Sequence, residues 1–383
     1  MSCGCSATKV YRTALIGCGM RGTCIALNAK NFGRYEIVAV ADPDAANRTH
    51  TKKELGMGEL PEYSDYKELL KWGQFEVVII GSPDFVHETQ AIDCMNAGKH
   101  LLLEKPIAIS YDGGKRVVET ALKTGRTVAV GFVLRYAPLY AKAKQLIEQG
   151  TIGKLTTMWV LHSVASGSDW YFHDWHASFA NTGGLLLQKG SHDFDILNWF
   201  AGAQARQISA IGSRDVFGGD EPNDLTCPKC DKRFTCPERM NDDSPRVQCA
   251  FRKEVDCLDN HLVQIVYDNG VKASYNECHY TPDDNREYVF IGTKGKIVLN
   301  DADGKLYIKT RNTAMYKESM TFTPGNIDSG HGGGDSRLLV DLANAIEQQT
   351  QPLAGVQAGL EAIRVGLLAH ESIRQNGKPL SSF

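Results

Sequence analysis

The chain has 383 residues, 42% of them hydrophobic and 23% charged, with a net charge of -3. That length exceeds what one hydrophobic core usually serves and predicts two domains. The slight acidity, with no long basic run, argues against nucleic acid and for a small-molecule ligand.

No apolar run reaches the roughly 18 residues of a membrane span, so no membrane partner is expected. The opening MSCGCSATKVYRTALIG lacks the charged and apolar regions of a signal peptide, so a cytoplasmic location is expected. Residues Tyr11 to Ile16 read as a strand, GCGMRG as a tight turn and TCIALNAKNF as a helix. Gly17 permits the turn, Gly19 lets backbone approach a pyrophosphate, and Gly22 lets helix and strand pack closely. Gly17, Cys18, Gly19, Met20, Arg21 and Gly22 are thus candidate cofactor contacts, with the phosphates drawn to the N–H groups that open the helix. A glycine-rich turn without a ligand is the alternative.

A second apolar strand, EIVAVAD, ends in Asp42, about 20 to 25 residues beyond the glycines, where an acid accepts hydrogen bonds from the adenosine ribose. Asp42 also repels a 2'-phosphate, which favours NAD over NADP, although Arg48 nearby points the other way. Asp42 could equally cap a turn before Pro43. The stretch FEVVIIGSPDFVHETQAIDCMNAGKHLLLEKP then reads as strand, loop, helix and strand, so a doubly wound parallel sheet is expected over residues 8–133. Ligands bind at the carboxyl ends of such strands, which makes Ser82, Pro83, His87, Glu104 and Lys105 cofactor candidates and Lys105 a catalytic one; a helix cap is the alternative for His87.

Beyond residue 134, SDWYFHDWHASFANTGG gathers Trp170, Tyr171, His173 and Trp175, whose aromatic faces and flanking donors suit a carbohydrate, or else a core loop. QKGSHDFD follows. A helix starting near Gly190 puts His192 and Asp195 on one face with Lys189 at its first turn, while Phe194, Leu197 and Ala201 line another. Lys189, His192 and Asp195 are therefore candidate catalytic groups beside Lys105, since a lysine or histidine with a tuned pKa can take or give a proton. A buried polar cluster that only caps the helix is the bland reading. A cysteine-rich insert at about 214–258 interrupts the second domain; Cys227, Cys230, Cys236 and Cys249 have the spacing of a structural zinc site, Cys257 abuts the next strand, and reduced thiols, an iron–sulfur cluster or disulfides are the other readings. Near the end, SGHGGGDSRLLVDL offers His331 to a substrate and Asp335 as a helix cap.

Taken together, LIGCGMRG, VAVADPD, SPDFVH, EKPIA and the later GG…KGSHDFD resemble the Gfo/Idh/MocA family of NAD(P)-dependent oxidoreductases, over nearly the whole chain. The resemblance implies an N-terminal Rossmann domain and an α+β domain over 134–383 with an open, mostly antiparallel sheet. It also implies hydride transfer at a carbinol carbon of a sugar or cyclitol, and a homodimer or homotetramer. Oxidising CHOH needs a base for the hydroxyl proton, and His192 is read as that acid/base, with Lys105 holding or deprotonating the hydroxyl and Asp195 orienting the histidine or a substrate hydroxyl. Lys105 matches the family's active-site lysine, Pro106 its proline, often preceded by a cis peptide, and His192, Asp195 and Gly190 fall on its D-x-G-x-H-x-x-D pattern. Gln188 stands at the first acidic position, and with Lys189 it resembles a subgroup carrying Q/E-K-x-x-H. Arg135 and Tyr136 match positions near substrate, or else make an interdomain contact. Two other readings stay open: a glycosidase that oxidises, eliminates and re-reduces with tightly held NAD, and a non-catalytic NAD-binding regulator.

Overall fold

A computed structural model describes residues 9–165, 167–311, 318–324 and 331–381. By their contacts the residues fall into two units, Met1–Ala137 with Asp328–Leu360, and Pro138–Ile327 with Glu361–Phe383.

The first unit is built on strands β1 (Tyr11–Ile16), β2 (Tyr35–Ala41), β3 (Glu62–Tyr63), β4 (Val77–Ile80), β5 (His100–Leu103) and β6 (Val128–Val130). They pair in parallel in the order β3-β2-β1-β4-β5-β6. Strands such as VVII and HLLL are apolar almost throughout because helices cover both faces of such a sheet. The order reverses between β1 and β4, the place where open parallel sheets bind ligands. Residues 328–360 return to this unit: the Tyr35 hydroxyl donates to Leu339 O at 2.6 Å, and the Val130 N–H donates to Ala354 O at 2.8 Å, covering the free edge of β6.

The second unit carries a nine-stranded sheet of β7 (Leu155–Ser163), β8 (Ala205–Ser213), β9 (Asn260–Tyr267), β10 (Lys272–Cys278), β11 (Asn285–Gly292), β12 (Gly295–Asn300), β13 (Lys305–Thr310), β14 (Glu318–Phe322) and β15 (Leu380–Ser381). Its order is β14-β13-β12-β11-β7-β10-β9-β8-β15; β7 and β10 are parallel and the other described pairings antiparallel. Alternate residues face inward, and the helix Ser191–Ala201 packs there through Phe194 on Tyr275 (5.0 Å between centroids) and Phe200 stacked on Phe290 (4.2 Å). Trp159, Leu161, Ile211 and Leu262 are exposed, each at an outward position of its strand.

The cysteine-rich insert joins β8 to β9, whose last and first residues, Ser213 and Asn260, are register partners. It is more than a polar loop. Phe217, Ala250, Val255 and Cys257 are buried in a small core with Tyr171, Phe172 and Leu185. Arg252, fully enclosed, donates to Phe172 O, Cys249 O and Asp174 O. Burial therefore orders both ends of a segment whose composition pointed only to a metal. Among the described residues, no helix is long and apolar enough to cross a membrane.

Candidate active site

In the first unit the three glycines do three different things. Gly17 has φ 89, and a Cβ there would stand 2.4 Å from Ser82 N. A Cβ on Gly22 would stand 1.9 Å from Gly17 O, so helix and turn touch through backbone alone. A Cβ on Gly19 would meet nothing within 4 Å; it would project into open space at the start of the helix Met20–Phe32. That helix has neither a side-chain cap nor an acid in its first turn, leaving its first N–H groups for an anion. Asp42 closes the turn: one carboxylate oxygen accepts from Cys18 N at 2.8 Å and the other from Asp44 N at 2.8 Å. Arg48 donates to the carbonyl of Asp42 (2.6 Å) and lies 3.7 Å from Glu62. Burial pushes the Cys18 thiol up to about 12. These features fit a dinucleotide: an open cradle for phosphate, and a carboxylate at the end of β2.

At the ends of β4 and β5, Ser82 Oγ donates to Gln90 (2.6 Å), and His87, buried, sets one ring nitrogen 2.7 Å from Pro106 O and the other 2.8 Å from Ser82 O. His87 thereby holds the loop containing Pro83 to the loop after β5, and burial lowers its pKa. Lys105 is half-buried, its peptide N–H 3.2 Å from Glu104 Oε2, and its bond to Pro106 is cis. Glu104 accepts from Arg21 Nε at 2.8 Å; Arg21 also reaches Asp335 at 2.7 Å, and Asp335 meets His331 Nδ1 at 2.8 Å. Burial opposes charge on Asp335, but His331 and Arg21 outweigh it and hold the carboxyl below the usual range. Met20, the first residue of the helix Met20–Phe32, is exposed. Arg135 donates to Leu353 O (2.8 Å), and the Tyr136 hydroxyl donates to Asp341 (2.7 Å) while accepting from Ala354 N (3.0 Å). Through these bonds Arg135 and Tyr136 fasten the returning segment.

In the second unit the helix Ser191–Ala201 begins where the sequence places it. His192 is half-buried; Gln188 and Asp195 are buried. Lys189 sits with Nζ 5.4 Å from the centroid of Tyr171, and burial lowers its ammonium to about 8. The carboxylate at the centre of the polar cluster is Asp193, which sequence reasoning passed over. It lies 3.0 Å from His162 Nδ1, 3.1 Å from the Tyr275 hydroxyl and 3.3 Å from Arg286 Nε, and also accepts from Tyr288. Burial opposes its charge, yet His162 and Arg286 pull it down to about 2, while burial lowers His162 to about 4. Tyr275 also donates to Glu277 at 2.9 Å. The signal was present in the strands, where polar residues alternate inward as Tyr275, Glu277 and then His279.

Tyr171 is buried against His279 (5.2 Å between centroids), Trp170 is exposed with Arg246 4.8 Å above its ring, and Trp175 stacks on His176. His173 turns toward the insert. With Cys227, Cys230, Cys236 and Cys249 it lines one cavity, its Nδ1 4.0 Å from Cys227 Sγ. Cys257 lies elsewhere, against Thr182 and His176 O, and none of these thiols is in a disulfide.

A parallel sheet with this glycine turn and acid, followed in the same chain by a mostly antiparallel sheet, is the architecture of a Rossmann-like nucleotide-binding unit joined to an α+β unit. The chain belongs to the Gfo/Idh/MocA oxidoreductase family: residues 11–132 match its NAD-binding Rossmann fold and residues 144–381 its C-terminal alpha/beta domain. It is 26% identical to the "Putative oxidoreductase YteT" of Bacillus subtilis (strain 168), over 87% of this chain and 88% of that one. It is 29% identical to the scyllo-inositol 2-dehydrogenase (NAD(+)) of the same organism, over 52% of this chain and 57% of that protein. The solved levoglucosan dehydrogenase, in complex with NADH and levoglucosan, superposes with a TM-score of 0.82 at 18% identity, covering 97% of this chain and 99% of that one. The alignment to the inositol dehydrogenase thus spans just over half of that protein, and the structural likeness speaks for the fold.

Proposed function

We propose that this chain is an NAD-dependent dehydrogenase that moves hydride between a carbinol carbon of a sugar or cyclitol and nicotinamide. The observation that carries the reading is the glycine turn locked to Asp42 by the Cys18 N–H, with open space over Gly19. Inositol and levoglucosan dehydrogenases among the similar proteins support the substrate class. The N–H groups at residues 17–22 would hold the pyrophosphate and Asp42 the ribose hydroxyls, favouring NAD over NADP because a 2'-phosphate would face that carboxylate. When bound, NAD supplies the hydride acceptor or donor.

The chain's own groups manage the proton. His192 acts as acid/base, Lys105 holds or deprotonates the hydroxyl, Asp195 orients, and Lys189, with an ammonium that gives up its proton near pH 8, is a second base. Trp170, Tyr171 and Trp175 offer faces to a sugar ring, with His331 as a further substrate contact; Arg135 and Tyr136, bonded to the returning segment, and His173, turned into the cysteine cavity, are not assigned to substrate. Cys227, Cys230, Cys236 and Cys249 around one cavity support a structural zinc ion there. The exposed outward residues Trp159, Leu161, Ile211 and Leu262 support a homo-oligomer, a dimer or tetramer, through that sheet face. A redox-assisted glycosidase is the second reading, favoured by Gln188, an amide buried where the family pattern has an acid.

The test is a set of free sugars, cyclitols and glycosides, following NADH absorbance and product mass together. Accumulating NADH with a free polyol is the expected result, and Lys105→Ala and His192→Ala should each lower kcat by about 10²–10⁴-fold while NAD+ still binds. Cleavage of a glycoside with no net NADH selects the second reading, and no turnover with any substrate class contradicts both.

A further inference from the structure

Outside the groups assigned above, His261, Glu277 and His279 form a cluster on the inner face of the second unit's sheet. His261 in β9 is the cross-strand partner of Glu277 in β10. His279 follows two residues later, where the pleat returns a side chain to the same face, and its N–H bonded to Asp259 O (2.9 Å) extends the ladder to that point. All three are closed off from solvent, at 0%, 1% and 0% exposure.

Buried polar atoms are nearly always hydrogen-bonded, and exceptions call for an explanation. Here five atoms are exceptions together: both ring nitrogens of His261, both of His279, and Glu277 Oε2 have no hydrogen bond among the described residues. Glu277 Oε1 is held by the Tyr275 hydroxyl, which turns Oε2 toward the rings. Oε2 lies 3.3 Å from His261 Nδ1 and 3.4 Å from His279 Nε2, and one ligand atom from each of the three residues falls within 4.8 Å of the others. Zinc bonds of about 2.0–2.1 Å in a tetrahedron separate neighbouring ligands by about 3.3–3.4 Å. The carboxylate oxygen thus stands at the spacing of a shared ion from both rings.

We propose that His261, Glu277 and His279 bind one divalent transition-metal ion of the zinc class, at a site separate from the cysteine cavity. Two imidazoles and one carboxylate are the donors such ions prefer over magnesium or calcium, and three protein ligands leave a fourth position for water or a ligand oxygen. Tyr275 supplies the outer support, its one hydroxyl proton going to Glu277 Oε1 at 2.9 Å. The rival account is a buried ion pair in which one ring is protonated; it leaves the remaining ring nitrogens without partners.

The full chain, stripped with chelator and reloaded with Zn2+, is assayed for metal by mass spectrometry without any coenzyme, so the outcome is independent of the proposed dehydrogenase activity. A Cys227→Ser/Cys230→Ser variant should retain about one equivalent per chain. Loaded with Co2+ instead, it should show ligand-field bands without thiolate charge transfer. Glu277→Gln, isosteric and carrying no charge, should weaken that binding by about tenfold or more, and His261→Ala/His279→Ala should remove it, with circular dichroism checking the fold. The proposal is overturned if the folded cysteine variant takes up neither ion, or if its metal content is unchanged by the histidine and glutamate substitutions. Should the histidine variant fail to fold, the cobalt spectrum of the cysteine variant decides.

Discussion

Lys189 stands with Arg286 among its charged neighbours, and burial followed by that guanidinium lowers its ammonium from 10.5 to about 8, against the pull of Asp193, Glu277 and Asp284. The folded chain therefore binds fewer protons at this residue than the unfolded chain between about pH 8 and 10.5, and its stability rises with pH across that window. Below pH 8 the full cost of the buried charge is present. Lys189→Met should accordingly stabilise the protein near neutral pH by on the order of 2 kcal/mol, with the gain shrinking in thermal melts as the pH rises from about 8 to 10.5. The glycines divide in the same residue-by-residue way. Gly22→Ala forces a Cβ into Gly17 O and should cost about 1–3 kcal/mol or more, whereas Gly19→Ala meets only open space and should leave thermal stability nearly unchanged while weakening NAD+ binding. Chemical denaturation and coenzyme titration separate the two effects. The turn geometry of Gly17, Gly22 and Asp42 was legible because it is local to two strand ends; the place of Asp193 was not, since its partners His162, Tyr275, Arg286 and Tyr288 come from three different strands.

At the scale of elements, the insert shows what hydrophobic patterning misses. Its polar and cysteine-rich sequence marked it correctly as an interruption between two strands, but Phe217, Ala250, Val255 and Cys257 are too scattered to register as a core until the chain folds back on Phe172. Asp259 closes the loop, accepting from the backbone N–H groups of Asp215, Val216 and Phe217 at 2.8, 2.9 and 2.9 Å. Asp259→Ala leaves three donors to find other partners and should cost about 1–3 kcal/mol, read as earlier unfolding in urea. Because Ser213 and Asn260 already pair, the β8–β9 ladder itself should outlast that loss, which hydrogen exchange on those strands can check. The paired strands β9 and β10 also held a readable clue, Glu277-x-His279 at strand period, whose meaning depended on His261 arriving opposite.

For the whole molecule, the alternation of strands and helices in the first third was enough to give a parallel sheet, and the observed order β3-β2-β1-β4-β5-β6 puts its reversal at the glycine turn. The return of residues 328–360 to that first unit was not read from the sequence, because the bonds that fix it, from Tyr35, Val130 and Tyr136, span more than 200 residues and leave no local trace. The nicotinamide dinucleotide proposed for the first unit would lie over Gly19 with its ribose at Asp42. Calorimetric titration of the full chain with NAD+, NADH and NADP+ is the sharpest test. Saturable binding of NAD+ and NADH, weaker binding of NADP+, and loss of all three in Gly19→Asp is the predicted result; no heat of binding with any of them, in a chain shown to be folded, would contradict it.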